Sequence, residues 1–257
     1  MTSSPSPAAA PVALVTGASR GIGRATALGL AGRGFTLFVA ADGSAAELAE
    51  LVEACRGAGA PAADAALVDL ARAGEAERMV AGALARFGRI DVLVNNAGIR
   101  CRKRFGDFTR DDFDRVVAVN LAAAFFASQA VLPAMRAQGA GRIIHVASQF
   151  GSVTGAGQAI YGLTKAALIH LTKTMAFELA GEGILVNSVS PGPIATQFNL
   201  DAWDADPTFR EALHSRVPAG RAGTPEEVAE AIVFLATSEG RFIQGHDLVV
   251  DGGFIIH

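Results

Sequence analysis

Seven short runs that are apolar at nearly every position recur along the chain, at Val12–Thr16, Phe35–Ala40, Ala65–Asp69, Ile90–Asn95, Arg142–Ala147, Ile184–Val189 and Asp247–Val250. Alanine-rich, helix-forming segments fill the intervals between them. A strand with one wet face alternates apolar and polar residues, whereas a run apolar throughout is covered on both faces. That is how a parallel sheet with crossover helices above and below it reads. The expected fold is therefore α/β, a single doubly wound parallel sheet of about seven strands with helices on both faces. The 257 residues are 51% hydrophobic and 18% charged, which fits one large globular domain and excludes a disordered chain or a coiled coil. Glycine is abundant, with 29 residues, but has no three-residue period, so these glycines are turn and contact positions rather than a collagen repeat.

Punctuation along the chain agrees. Thr224-Pro225-Glu226-Glu227 combines a threonine cap, a proline at the first helical position and a glutamate three residues past the cap, which predicts a helix start. Residues 1–11, rich in Ser, Pro and Ala, lack both a basic start and an apolar core, so the reading is a disordered tail rather than a signal peptide. Residues 12–257 are read as one domain that includes a Pro- and Gly-rich loop at 190–223, which contains Trp203 and is long enough to act as a binding loop.

A formal net charge of −3 gives no general attraction for nucleic acid or for anionic membranes, and neither is expected as a partner. Val116–Met135 is free of charge over twenty residues, but Asn120, Ser128, Gln129 and Pro133 interrupt it and Arg115 and Arg136 bound it, as in a buried core helix. Cys55 and Cys101 form no ligand cluster with each other or with histidine, so no metal is expected, and a reducing, cytoplasmic setting is the default.

Between the first apolar run and the first helix lies Thr16-Gly17-Ala18-Ser19-Arg20-Gly21-Ile22-Gly23. In a strand-turn-helix context, such a turn can bring backbone N–H groups and a helix N-terminus against a pyrophosphate, because a Cβ would hold the phosphates away. Further motifs follow in order: Asn95-Asn96-Ala97-Gly98 ends the fourth run, Ser148 follows the fifth, Tyr161-Gly162-Leu163-Thr164-Lys165 comes next, and Pro191-Gly192 follows the sixth.

Together these segments resemble the classical short-chain dehydrogenase/reductase family over about Val12 to Gly253. The resemblance implies a Rossmann-like dinucleotide-binding oxidoreductase domain that transfers a hydride between a nicotinamide cofactor and a secondary alcohol or ketone. It implies cofactor contacts at Gly17, Ser19, Arg20, Gly21, Ile22, Gly23, Asp42, Asp69, Asn96, Ala97, Gly98, Tyr161, Lys165, Pro191, Gly192, Ile194 and Thr196, and a catalytic set of Asn120, Ser148, Tyr161 and Lys165. Tyr161 is the one tyrosine in the chain, and Lys165 stands one helical turn away on the same face. A free phenol titrates near about 10, too high for a neutral-pH base, and an adjacent ammonium lowers it. By resemblance, Ser148 holds the substrate oxygen, Lys165 binds the ribose, and Asn120 holds a water that relays protons to Lys165.

Asp42 lies 19 residues after Gly23, where an acid binds ribose hydroxyls and repels a 2′-phosphate, which favours NAD; Arg20 permits NADP. Gln149 and Gln158 fall near the expected pocket, whereas His145 reads as a polar residue satisfied inside an apolar strand. Arg100, Arg102, Lys103 and Arg104 form a basic run just past Gly98, either a solvated face or a receptor for carboxylate or phosphate. That loop is loosely similar to the one in sugar-acid and polyol dehydrogenases of the family, so the expected substrate is a sugar acid, a polyol or another small anionic molecule. An NADPH-dependent 3-oxoacyl-acyl-carrier-protein reductase is the alternative, although Gly139 and Glu182 occupy the positions where that group carries the basic residues that receive the carrier. A non-catalytic, cofactor-sensing regulator is a third reading, disfavoured by the presence of Tyr161 and Lys165. The resemblance also implies a homotetramer built on the apolar helices around Val116–Met135 and Gln158–Ala180.

Overall fold

The structure is a computed structural model that describes residues 10–197, 199–200, 211 and 215–256. Residues 1–9 of the expected tail, Trp203 and much of the expected 190–223 loop lie outside the described residues.

Seven strands form one sheet: β1 (Val12–Thr16), β2 (Thr36–Ala41), β3 (Ala63–Leu67), β4 (Val92–Asn95), β5 (Gly141–Val146), β6 (Ile184–Pro191) and β7 (Asp247–Val250). Their spatial order is β3-β2-β1-β4-β5-β6-β7, and every pairing is parallel. The chain winds outward from β1 to β3, returns to place β4 beside β1, and continues outward to β7. The order thus reverses between β1 and β4, and a crevice opens beyond the carboxyl ends of those two strands.

Among the described residues, seven α-helices with complete bounds accompany the strands: α1 (Gly21–Ala31), α2 (Ala45–Gly57), α3 (Glu75–Phe87), α4 (Arg110–Val117), α5 (Ala123–Gln138), α6 (Ala159–Leu179) and α7 (Pro225–Thr237). Side chains alternate across each strand, so Ala13 and Val15 face one layer and Leu14 the other. The first layer sets α1, α2 and α7 against the sheet through Leu30, Leu51 and Ile232, and the second sets α3, α5 and α6 against it through Met79, Val131 and Leu179. The inner strands β1, β2, β4 and β6 are buried at every position, whereas the edge strands β3 and β7 are half-buried.

The strand ends have local causes. β3 stops at Leu67 rather than Asp69, because its partner β2 ends at Ala41, opposite Leu67, and the Asp69 carboxylate then reaches forward to accept from the N–H of Ala71 at 3.1 Å. β6 runs on to Pro191 because its end pairs with β7, where Asp247 accepts from the hydroxyls of Ser188 at 2.7 Å and Ser190 at 2.8 Å. The predicted start of α7 holds: the Thr224 hydroxyl accepts from the Glu227 N–H at 3.3 Å, and the Glu227 carboxylate accepts from the Thr224 N–H at 2.8 Å.

The charge-free stretch forms α5 and the turn before it. The helical run Arg110–Gln138 is long and apolar enough, by length and composition, to cross a membrane. Here it lies along the sheet, with Ala123, Ala127, Val131 and Met135 in the second core layer.

Candidate active site

The glycine-rich turn is fixed by contacts across the β1/β4 switch point. Thr16 Oγ1 accepts from the N–H groups of Asn96 and Ala97, both at 3.0 Å, while Asn96 Nδ2 donates to the carbonyls of Thr16 at 2.8 Å and Gly17 at 3.0 Å. Glycine is required where these turns meet. A Cβ at Gly23 would lie 2.3 Å from the Gly17 carbonyl oxygen, and one at Gly17, whose φ is +62°, would lie 2.8 Å from the Ala97 Cα. Arg20 precedes α1 in an extended conformation with no side-chain bond to the first turn, and no acidic residue stands in that turn. The N–H groups of this turn therefore remain available beside the cavity, a donor set that fits a pyrophosphate.

A cavity of about 500 Å³ runs along the carboxyl ends of the strands. Every expected cofactor contact lines it, from Gly17, Ser19, Arg20, Gly21, Ile22 and Gly23 through Asp42, Asp69, Asn96, Ala97 and Gly98 to Pro191, Gly192, Ile194 and Thr196. Ser148, Tyr161 and Lys165 line it as well.

Tyr161 and Lys165 lie one turn apart in α6 and are both buried. Lys165 Nζ donates to the Val146 carbonyl at 2.7 Å and sits 5.7 Å from the centre of the Tyr161 ring. The Ser148 hydroxyl accepts from the Phe150 N–H at 3.2 Å and lines the cavity together with Tyr161, bringing the end of β5 beside α6. Burial alone raises the Tyr161 phenol, but the charges of Lys165 and Arg100, with hydrogen bonds from Ser148 and Arg100, outweigh it and hold the phenol below its ordinary value. Burial, and secondarily the charge of Arg100, pushes the Lys165 ammonium down, with Tyr161 opposing the shift.

Asn120 does not line the cavity; it lies behind it. A π-turn at 118–122, between α4 and α5, turns it into the core, where it is fully buried. Its Oδ1 accepts from the Ile99 N–H at 2.8 Å, and its Nδ2 donates to the Ile99 carbonyl at 2.9 Å and to Thr164 Oγ1 at 3.2 Å. A Cβ at Gly98 would stand 3.5 Å from both Asn120 Oδ1 and Lys165 Nζ, so the bare face of Gly98 is where the two groups converge. His145 is fully buried outside the cavity lining, with Nδ1 3.2 Å from Asn95 Nδ2. Burial, reinforced by the charge of Lys165, takes it down to about 4, so it is neutral at physiological pH.

Of the basic run, Arg100 and Arg102 join the site: the guanidinium carbon of Arg100 stacks 4.9 Å from the centre of the Tyr161 ring, and Arg102 lines the cavity, as does Arg115, which the sequence had not placed there. Gln149 and Gln158, expected near the pocket, line it with Ser148 and Tyr161, and each has a buried amide oxygen without a hydrogen-bond donor. At the other end Glu47 joins Asp42; its sequence position reads only as the third residue of the capping box of α2.

Comparison with known proteins places this geometry in a family. A family model described as enoyl-(acyl carrier protein) reductase matches residues 17–255. A 3-oxoacyl-acyl-carrier-protein reductase of Thermotoga maritima is 40% identical over 245 residues, covering 95% of this chain and 98% of that protein. An L-rhamnose 1-dehydrogenase (NAD(P)(+)) of Azotobacter vinelandii is 42% identical over 252 residues, covering 95% and 96%. Among solved structures, a protein provisionally described as an NAD(P)-dependent gluconate 5-dehydrogenase from Beutenbergia cavernae, with NADP bound at low occupancy, superposes with a TM-score of 0.90 at 36% identity, covering 97% of this chain and 98% of that one. Matched over nearly its whole length, the chain belongs to the short-chain dehydrogenase/reductase family and is an NAD(P)-dependent oxidoreductase acting on hydroxyl and keto groups.

Proposed function

We propose that this enzyme interconverts a secondary alcohol and a ketone on a small polyhydroxylated acid, a sugar acid, with NAD as the favoured cofactor. The observation that carries this reading is the charge of the cavity wall: Arg100, stacked on Tyr161, lines it with Arg102 and Arg115, whereas Asp42 and Glu47 line it beside the Ser19 turn. Arg102 reaches the surface, yet partial burial and then the charge of Arg100 hold it below its ordinary value. A carboxylate between such guanidinium groups relieves both effects and accepts paired hydrogen bonds. The donor-less oxygens of Gln149 and Gln158 suit the hydroxyls of the same substrate. Each buried acceptor left unsatisfied costs about 1–3 kcal/mol, which a ligand hydroxyl recovers.

In this mechanism, the bound nicotinamide supplies the centre that takes or gives the hydride. Ser148 holds the substrate oxygen, and Tyr161, as phenolate, removes the alcohol proton or, as phenol, protonates the carbonyl. Lys165 holds the ribose and keeps Tyr161 acidic. Asn120 supports the far side of Lys165, where a water passes protons outward. Gly17, Gly21, Gly23, Gly98 and Gly192, with Ser19, Ile22, Asp69, Asn96, Ala97, Pro191, Ile194 and Thr196, bind the cofactor, and two carboxylates, Asp42 and Glu47, oppose a 2′-phosphate against the cation of Arg20. Residues 12–257 act as one domain that includes the 190–223 substrate loop. The assembly is a homotetramer in a reducing cytoplasm, where Cys55 and Cys101 stay free thiols.

The 40% identity to a carrier-protein reductase favours a second reading, reduction of a carrier-linked ketoester. Against it, Glu182 is an acid bound to Arg136 at 2.5 Å, and Gly139 offers no charge, so an acidic carrier finds little cationic surface at those positions. Steady-state kinetics on a panel of sugar acids, neutral polyols and a carrier-linked 3-ketoester, each with NAD(H) and NADP(H), separates the two. The highest kcat/KM is expected for a sugar acid with NAD. Preferential turnover of the carrier-linked ester with NADPH would overturn the proposal.

A further inference from the structure

Arg100 stands two residues past Gly98, on the stretch that joins β4 to α4, and it is held from two sides. One side is the Tyr161 ring, whose centre lies 4.9 Å from the guanidinium carbon. The other is Asn199, whose Oδ1 accepts from Arg100 Nη1 at 3.1 Å and whose Nδ2 donates to the Ile194 carbonyl at 2.8 Å. Arg100 therefore ties the proton-transfer tyrosine to the start of the 190–223 segment.

The remaining neighbours of Tyr161 bring one other charge. Lys165 approaches from its own helix, Ser148 from the end of β5 contributes a neutral hydroxyl, and the Phe150 ring meets Tyr161 edge-on at 6.5 Å. His145, behind Lys165, is neutral. The two cations differ in kind: a buried ammonium loses its proton readily, whereas a guanidinium stays charged throughout the working pH range.

We propose that Arg100 is a positioning residue for proton transfer: clamped by Asn199, it fixes the Tyr161 ring and supports its phenolate with a permanent charge, coupling the placement of Asn199 to the acidity of the base. The proposal rests on the reading of Tyr161 as the proton-transfer group, and it leaves Arg102 and Arg115 for the substrate anion. An opposite charge this close to a buried group typically moves its titration by about 1–3 units.

Tyr161 is the only tyrosine in the chain, so the ultraviolet phenolate band of the cofactor-free protein reports this group alone. Titration of folded R100Q is expected to place the midpoint about one unit above wild type, an approximately ten-fold loss of acidity. R100K recovers part of the shift by restoring charge, and N199A, which keeps the guanidinium but frees it, moves the midpoint in the R100Q direction. The rising limb of kcat against pH for alcohol oxidation moves by the same amount as the midpoint. Unmoved midpoints in folded R100Q and N199A overturn the proposal, as does a fall in kcat at every pH with an unmoved limb. If R100Q does not fold, N199A decides the outcome alone. Turnover by Y161F would sink the role of Tyr161 while leaving any Arg100-dependent shift in its titration intact, so the two failures are distinguishable.

Discussion

At the residue scale, the site is an argument about which charges surround one phenol. With the Tyr161 phenol held below its ordinary value, the phenolate fraction rises through a midpoint below about 10. Alcohol oxidation consumes the phenolate, so kcat in that direction should climb with pH through this midpoint, while ketone reduction, which needs the phenol, should fall. A pH profile in both directions checks the sign, and limbs of the same sense would contradict it. At the adenosine end, Asp42→Arg should raise kcat/KM with NADP by about ten-fold or more and lower it with NAD, because it exchanges repulsion for attraction at the 2′ position. The grouping of Tyr161, Lys165 and Ser148 at one cavity was legible through the ordered motifs that carry the family resemblance, the one-turn spacing placing Tyr161 and Lys165 on one face. Arg100 was legible only as one member of a basic run, since nothing in such a run says which cation folds inward onto a ring. Glu47 belongs to no motif read from the sequence, and only the fold brings this cap of α2 to the cavity.

Elements position these residues, and their ends are where sequence and structure diverge. The capping signature at Thr224 located α7 because three independent local preferences coincide there. Thr224→Ala should cost about 1 kcal/mol, seen as a fall in Tm of about 2–4 °C with kcat unchanged. The β3 boundary was displaced because its last pairing is set by where β2 ends, at Ala41 opposite Leu67, a cross-strand detail that the run of residues 65–69 does not carry. The π-turn around Asn120 left no periodic mark in a stretch that reads as continuous helix, so its residue type was foreseen but not its inward turn against Ile99. The glycine turn is the least tolerant element. Gly23→Ala forces a Cβ against the Gly17 carbonyl and the Asn96 amide, and should destabilise the fold by about 1–3 kcal/mol and weaken dinucleotide binding. Calorimetry with cofactor titration measures both.

For the whole molecule, the decisive feature is the reversal of strand order between β1 and β4, which brings turns from distant parts of the chain around one cavity. Run-by-run hydrophobicity made the layered sheet legible. It could not reveal which outer helix faces stay uncovered in one subunit: Phe125 and Phe126 on α5, and Leu163 and Phe177 on α6, are exposed. Sedimentation velocity should find a tetramer, and Phe126→Asp combined with Phe177→Asp should shift it to smaller species; a wild-type monomer would contradict that assembly. The central claim, a dehydrogenase whose single tyrosine moves the proton, is tested most directly by Tyr161→Phe, with turnover and cofactor binding measured on the same preparation. The account predicts a fall in kcat of at least about 100-fold with nearly unchanged cofactor affinity. Turnover close to wild type in that variant would contradict it.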